Sequence, residues 1–80
     1  MYSLLLIDDE VYTLNNIRNS INWCSLGFTL TEAFSDSAKA LEYIEKNDID
    51  VIITDISMPN VSGIDIAKFC FYNKPRTKVI

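Results

Sequence analysis

The sequence contains no histidine among its 80 residues. Without an imidazole, the chain has no histidine metal ligand, no histidine general base and no serine–histidine catalytic arrangement. It also has only two glycines, and neither comes directly after the first apolar run, which ends at Ile7. The glycine-rich fingerprint of a dinucleotide-binding loop is therefore missing. Any chemistry therefore has to come from carboxylates, hydroxyls, backbone groups or bound ions.

Cysteines and long apolar runs are equally scarce. The two cysteines, Cys24 and Cys70, are too few for a disulfide framework and predict reduced thiols. Apolar runs such as Leu4–Ile7 are far shorter than the about 20 residues that span a membrane. No basic stretch precedes an apolar one at the N-terminus, as a signal peptide requires. We expect a single cytoplasmic domain that makes no membrane contact.

Positive charge is sparse over most of the chain. The formal net charge is −4, but residues 1–67 carry −8, and the last thirteen residues carry +4. Binding to nucleic acid requires clustered lysine and arginine side chains that neutralise phosphates. We therefore expect no nucleic-acid contact by this segment.

Hydrophobic patterning divides the chain into alternating units. Continuous or alternating apolar residues predict strands over 3–7, 28–34, 50–54 and 77–80. Apolar residues at three- and four-residue spacing between these strands predict three helices. Alternation of this kind is typical of an α/β fold with a parallel sheet and right-handed crossovers.

Helix-start signals support this division. Asp36 or Ser37 can cap the second helix, and Ser62 with Asp65 has the spacing of a helix N-terminus. The inner face predicted for the third helix consists of three apolar residues at helical spacing, Ile64, Ala67 and Phe71.

Three aspartates follow the two most apolar strands. Asp8 and Asp9 come directly after the first strand, and Asp55 comes directly after the third. Strands one and three are neighbours in a flavodoxin-like sheet, where functional groups gather beyond the carboxyl ends of the strands. Converging carboxylates repel, and a divalent cation relieves the repulsion. An oxygen-only site of this kind suits Mg²⁺, and a carboxylate beside it could accept a phosphoryl group.

A plainer interpretation of these aspartates remains open. Each could be a polar strand end, and Asp8 or Asp9 could cap the first helix.

Two segments carry a resemblance to a known family. The stretch Leu6–Glu10 resembles the acidic motif of receiver domains from two-component response regulators, and Asp50–Pro59 followed by Gly63 resembles their phosphorylation-site motif. The two motifs lie in the β/α order of that family. Trp23–Phe28, with Ala40 and Leu41, further resembles receivers attached to DNA-binding domains of the AraC type.

The resemblance implies a role for each matched residue. Asp55 would accept a phosphoryl group from a sensor histidine kinase, and Asp9 would bind Mg²⁺ directly. Asp8 would act mainly through a metal-bound water, and Ser57 would offer its backbone carbonyl to the metal. The domain would be a signalling module rather than an enzyme. Transcription would be controlled through a DNA-binding output domain outside this chain.

The resemblance also implies how much of the domain is present. Residues 1–80 would form the N-terminal, (βα)3β portion of a flavodoxin-like receiver with strand order 2-1-3-4. The fourth helix, fifth strand and fifth helix would be absent, leaving the fourth strand as an exposed edge that favours a homodimer or a segment-swapped oligomer.

Two alternatives belong to other functional classes. One is an interaction or dimerisation module that keeps the receiver scaffold and works without phosphorylation. The other is a phosphotransferase of the haloacid-dehalogenase type, which is disfavoured because Ser57 stands where that class needs a second aspartate.

Overall fold

Strands and helices alternate along the whole chain in the computed structural model, which describes residues 1–80. In chain order, the elements are β1 (Tyr2–Ile7), α1 (Val11–Ser20), a 3-10 turn (Cys24–Leu26), β2 (Phe28–Phe34), α2 (Ser37–Lys46), β3 (Val51–Thr54), α3 (Gly63–Asn73) and β4 (Lys78–Val79). The predicted alternation is confirmed.

The four strands form one parallel sheet in the order β2-β1-β3-β4. This arrangement confirms the flavodoxin-like order 2-1-3-4. Because β1 and β3 are neighbours, the segments that follow them leave the sheet at the same edge.

A small polar network fixes the register of the two central strands. The Asp50 carboxylate accepts hydrogen bonds from the Ser3 backbone N–H at 2.8 Å and from the Ser3 hydroxyl at 3.1 Å. The Ser3 hydroxyl in turn accepts from the Asp50 N–H at 2.9 Å. Asp50 lies just before β3 rather than inside it. The pairing of β1 with β3 starts at the next residue of each strand, where Leu4 pairs with Val51.

The apolar core has a larger and a smaller part. The larger one forms where α2 and α3 pack on the sheet, and its buried members are Leu5, Ile7, Ala40, Ile44, Ile49, Ile52, Met58, Ile66 and Cys70. The smaller one forms beneath α1, and its buried members are Leu4, Leu6 and Leu14. Strand β1 contributes alternate side chains to both parts, which explains its continuous apolar run.

The inner face predicted for α3 is wrong. Ile66 and Cys70 are buried, whereas Ile64 is 55% exposed and Phe71 is 75% exposed. Helix α3 carries apolar residues around most of its circumference, so spacing alone does not determine which stripe faces the sheet. Phe71 instead packs edge-on against the equally exposed Tyr72, with ring centroids 5.1 Å apart.

A side chain caps the N-terminus of each of the three α-helices. Asp36 caps α2 by accepting hydrogen bonds from the backbone N–H groups of Ala38 and Lys39. At α3, the Ser62 hydroxyl accepts from the Asp65 N–H, and the Asp65 carboxylate accepts from the Ser62 N–H, both at 3.0 Å. The Ser62 backbone N–H, with a smaller contribution from the Ser62 side chain, lowers the pKa of Asp65.

This capping box predicts a pH dependence of stability. Because the pKa of Asp65 is lower in the folded chain than in the unfolded one, its contribution is present above the ordinary aspartate pKa. The contribution is lost as the pH falls through the lowered value. Asp65→Asn should therefore be less stable than the parent at neutral pH. The difference between their free energies of unfolding should become smaller in acid.

Urea unfolding followed by circular dichroism at several pH values measures this difference. Asp48→Asn is the matched control, since its exposed ion pair with Lys74 contributes little to stability at neutral pH. A difference between Asp65→Asn and the parent that stays constant from neutral to acid pH would contradict the prediction.

Both cysteines are free thiols, as predicted. Cys24 is exposed in the 3-10 turn, whereas Cys70 is buried in α3, and burial raises the pKa of the Cys70 thiol. None of the helices combines the length and the hydropathy that crossing a membrane requires.

Candidate functional site

The three predicted aspartates meet at one edge of the sheet. Asp8 and Asp9 follow β1, Asp55 follows β3, and one carboxylate oxygen from each lies within 4.8 Å of the others. Pairing of β1 with β3 brings them together, because the Asp55 N–H donates to the Ile7 carbonyl at 2.9 Å and continues the ladder past the strand ends. Asp9 and Asp55 are exposed to solvent, and Asp8 is half-buried.

Local backbone hydrogen bonds orient two of the carboxylates. Asp8 Oδ1 accepts from the Glu10 N–H at 2.9 Å, and Asp55 Oδ1 accepts from the Ile56 N–H at 2.8 Å. The cap of α1 is Glu10, whose side chain accepts from the Tyr12 N–H, so the interpretation of Asp8 or Asp9 as the helix cap is wrong. The second oxygens of Asp8 and Asp55 accept no hydrogen bond from the protein and face the site unpaired.

No positive side chain neutralises the three carboxylates. The only ion pair in the protein joins Lys74 to Asp48 at 3.1 Å and involves none of them. Like charges this close repel one another, and a cation between them removes the repulsion.

The donor set fits Mg²⁺. That ion prefers hard oxygen ligands in an octahedron at 2.0–2.1 Å, which places opposite ligands about 4.2 Å apart. One carboxylate oxygen from each aspartate lies within 4.8 Å of the others, which is close enough for all three residues to contribute to the surroundings of one ion. A cleft of about 150 Å³, lined mostly by apolar side chains, opens beside Asp8 and Asp55.

Residues 55–63 form the loop that carries Asp55 into α3. Ser57, the predicted backbone-carbonyl ligand, is exposed in this loop, and its carbonyl accepts no hydrogen bond from the protein. Met58 is buried in the larger core, and Gly63 packs against the backbone of Asp55 and Ile56. Through these contacts, Met58 and Gly63 shape the loop.

One contact to this loop was missed at the level of sequence. The Ser37 hydroxyl donates to the Pro59 carbonyl at 2.9 Å. The sequence indicates Ser37 only as an alternative cap for α2. Because the two residues are 22 positions apart, no local pattern signals their contact.

A larger cleft of about 410 Å³ lies away from the aspartates, where β3 and β4 begin. Side chains of both charge signs line it, among them Asp48, Lys74 and Arg76, and Lys74 already pairs with Asp48. The strand-end aspartates, which no cation neutralises, are therefore the stronger candidate site.

The fold and the acidic site together define a class of protein. The chain belongs to the response regulator receiver domain family, whose family model matches residues 4–80. This membership confirms the resemblance carried by the two acidic motifs.

Individual relatives support the same assignment. The chain is 35% identical over 68 residues to the uncharacterized transcriptional regulatory protein YesN of Bacillus subtilis (strain 168), a match covering 85% of this chain and 18% of that protein. Among solved structures, it is similar to the receiver domain of AraT, a response regulator from Geobacillus stearothermophilus. That match has a TM-score of 0.89 and 28% identity, and it covers 98% of this chain and 60% of the other.

A second similar solved structure comes from a transcriptional regulator. It is a two-component transcriptional regulator AraC from Clostridium phytofermentans ISDg, with a TM-score of 0.86 and 28% identity, covering 99% of this chain and 64% of the other. The chain thus spans less than two thirds of the length of each of these relatives.

Proposed function

We propose that this protein is a receiver module that accepts a phosphoryl group on Asp55 from a sensor histidine kinase, with Mg²⁺ bound at Asp8, Asp9 and Asp55. The observation that carries the proposal is the convergence of the three carboxylates, without a neutralising cation, at the ends of β1 and β3. Membership of the receiver family supports assigning signalling, rather than metabolic turnover, to this site.

In this proposal, the Asp55 carboxylate acts as the nucleophile. The Ile56 N–H holds Oδ1 and fixes the carboxylate plane, which leaves Oδ2 free to attack. An oxygen–phosphorus bond forms as the phosphorus–nitrogen bond to the kinase histidine breaks, and the electron pair of that bond leaves with the imidazole. The donor histidine belongs to the partner, which is consistent with the absence of histidine here.

Asp8, Asp9 and the Ser57 carbonyl would complete the oxygen ligands of the metal. Asp9 makes no hydrogen bond within the protein and would bind directly, whereas Asp8, already bonded to the Glu10 N–H, would act mainly through a bound water. When bound, Mg²⁺ would neutralise negative charge on the transferred phosphoryl oxygens.

We further propose that the phosphorylated module controls transcription through a DNA-binding output domain that is not among these residues. The transcriptional regulators among the relatives support this idea, as does their greater length. On the same basis, residues 1–80 would correspond to the N-terminal part of a receiver domain.

A second candidate function is an interaction or dimerisation module that keeps the scaffold and works without phosphorylation. The observation in its favour is the exposed aromatic pair on α3, where Phe71 is 75% and Tyr72 is 79% exposed. Strand β4 also leaves one edge unpaired, which favours a homodimer or a segment-swapped oligomer.

Phosphorylation by a small phosphodonor separates the two functions. We expect the parent protein, incubated with acetyl phosphate and Mg²⁺, to gain the mass of one phosphoryl group, and Asp55→Asn to gain none because the nucleophilic oxygen is lost. Intact-protein mass spectrometry makes the measurement.

Asp48→Asn is the matched control, since it removes an equivalent exposed carboxylate far from the site and should still be phosphorylated. An unmodified parent protein would favour the interaction module. An adduct that persists in Asp55→Asn would show that another residue is the acceptor.

A further inference from the structure

The loop between Asp55 and α3 is tied down at both of its ends. The Gly63 N–H donates to the Ile56 carbonyl at 2.8 Å and closes the loop. A Cβ at position 63 would clash with the Asp55 carbonyl oxygen and would lie 2.9 Å from the Ile56 Cα. The first and last residues of the loop are therefore held against each other.

The middle of the loop depends on one carbonyl. Pro59 O accepts two hydrogen bonds, one from the Val61 N–H at 2.8 Å and one from the Ser37 hydroxyl at 2.9 Å. Asn60, which lies between Pro59 and Val61 in the chain, has φ of 69°. This is a left-handed conformation that a non-glycine residue adopts only at some cost. The turn is thus held in a less favourable backbone shape by its contacts.

Ser37 is unusual in its surroundings. It is only 4% exposed and is the one buried polar residue among those that form the core. It is not needed as a cap, because Asp36 already caps α2. A buried hydroxyl without a partner is costly, so Ser37 and the Pro59 carbonyl hold each other in place.

We propose that Ser37 is a positioning residue, which couples α2 to the loop and holds the Ser57 carbonyl and Asp55 in the arrangement that binds Mg²⁺. The hydroxyl reaches the site through Pro59 and touches neither the metal nor the phosphoryl group. The inference rests on the proposed function, since it assigns Ser37 a role at that same site.

Removing the Ser37 hydroxyl should lower the fraction of molecules in which the loop has the conformation that binds Mg²⁺. The apparent affinity for Mg²⁺ falls in proportion to that fraction. Losing one neutral hydrogen bond limits the change, so we expect Ser37→Ala to weaken Mg²⁺ binding by about two- to fivefold. Amide hydrogen exchange at Val61 should accelerate in the same variant, because its acceptor Pro59 O is no longer held.

Thr31→Val is the matched control. The Thr31 hydroxyl donates to the Leu4 carbonyl at 3.0 Å, a part-buried bond of the same kind that lies in the irregular stretch of the β1–β2 pairing. It makes no contact with the loop. Because Ser37 is buried and Thr31 is exposed, Ser37→Ala should lower the urea midpoint of unfolding at least as much as Thr31→Val does. Only Ser37→Ala should change the dissociation constant for Mg²⁺ and the exchange at Val61.

Calorimetric titration of the folded proteins with MgCl₂ gives the dissociation constants, and nuclear magnetic resonance gives the exchange rates. Equal Mg²⁺ affinity in Ser37→Ala and Thr31→Val would overturn the role of Ser37 while leaving the proposed function intact. Absence of Mg²⁺ binding by the parent protein would overturn the proposed function, and this inference with it.

Discussion

Gly63→Ala is expected to destabilise the protein by about 3 kcal/mol, the upper end of what overpacking usually costs. The added methyl would collide with the backbone carbonyl of Asp55 and crowd the Ile56 Cα. Because these are backbone atoms, the collision cannot be relieved by a change of side-chain rotamer. Alanine restricts the unfolded chain more than glycine does, but that gain is at most about 1 kcal/mol. Relative to a total stability of about 4–12 kcal/mol for a chain of this size, the net loss is large.

The same substitution should also disturb the acidic site. The collision displaces the backbone on either side of Asp55, so the Asp55 carboxylate shifts away from Asp8 and Asp9. Urea unfolding gives the loss of stability, and calorimetric titration with Mg²⁺ gives the loss of binding.

Gly27→Ala provides the comparison, because the protein has only these two glycines. Gly27 has φ of 89° and open space around its Cα, so alanine there costs only conformational strain of about 1 kcal/mol. It should leave Mg²⁺ binding unchanged. A Gly63→Ala variant as stable as Gly27→Ala would show that the Asp55 backbone yields to the extra methyl group.

Ile52→Ala should have the largest effect on stability, a loss of about 3–4 kcal/mol. Ile52 is fully buried in β3, between β1 and β4, and belongs to the larger core cluster. Truncation removes its apolar contacts and leaves a cavity, because strands paired on both sides cannot move in to fill it.

Ile64→Ala is the matched control for this truncation. Ile64 is 55% exposed on α3, and alanine is the better helix former, so the change in stability should stay within about 0.5 kcal/mol. Thermal and urea unfolding of both variants measure the difference. Equal losses at the two positions would mean that α3 is rotated relative to the arrangement described above.

The rotation of α3 is also where prediction from sequence was wrong. Ile64, Ala67 and Phe71 have helical spacing, but so do Ile66 and Cys70, and periodicity cannot choose between two apolar stripes. In the structure, the second stripe faces the sheet, and Ile66 and Cys70 pack into the larger core. The sequence around Gly63 does not show that this residue packs against the backbone carbonyl of Asp55.

Other elements were predictable because their signals are local. The alternating apolar pattern of Phe28–Phe34 matches β2 residue for residue, and the spacing of Ser62 and Asp65 matches the capping box at α3. Each signal depends on groups within one turn or one strand. The alternation also predicted a parallel sheet with right-handed crossovers. The order of the strands came from the resemblance to receiver domains, and the structure confirms it.

By itself, the sequence of this protein determined that the three carboxylates follow its two most apolar strands. Only the tertiary structure shows that no side-chain cation pairs with these carboxylates. The tertiary structure decided how close they come, because the distance between Asp9 and Asp55 depends on the pairing of β1 with β3. It alone decided that the Ser37 hydroxyl reaches the Pro59 carbonyl. Contacts between residues distant in the chain depend on how whole helices and strands pack. That packing is determined by the entire core and not by any single motif.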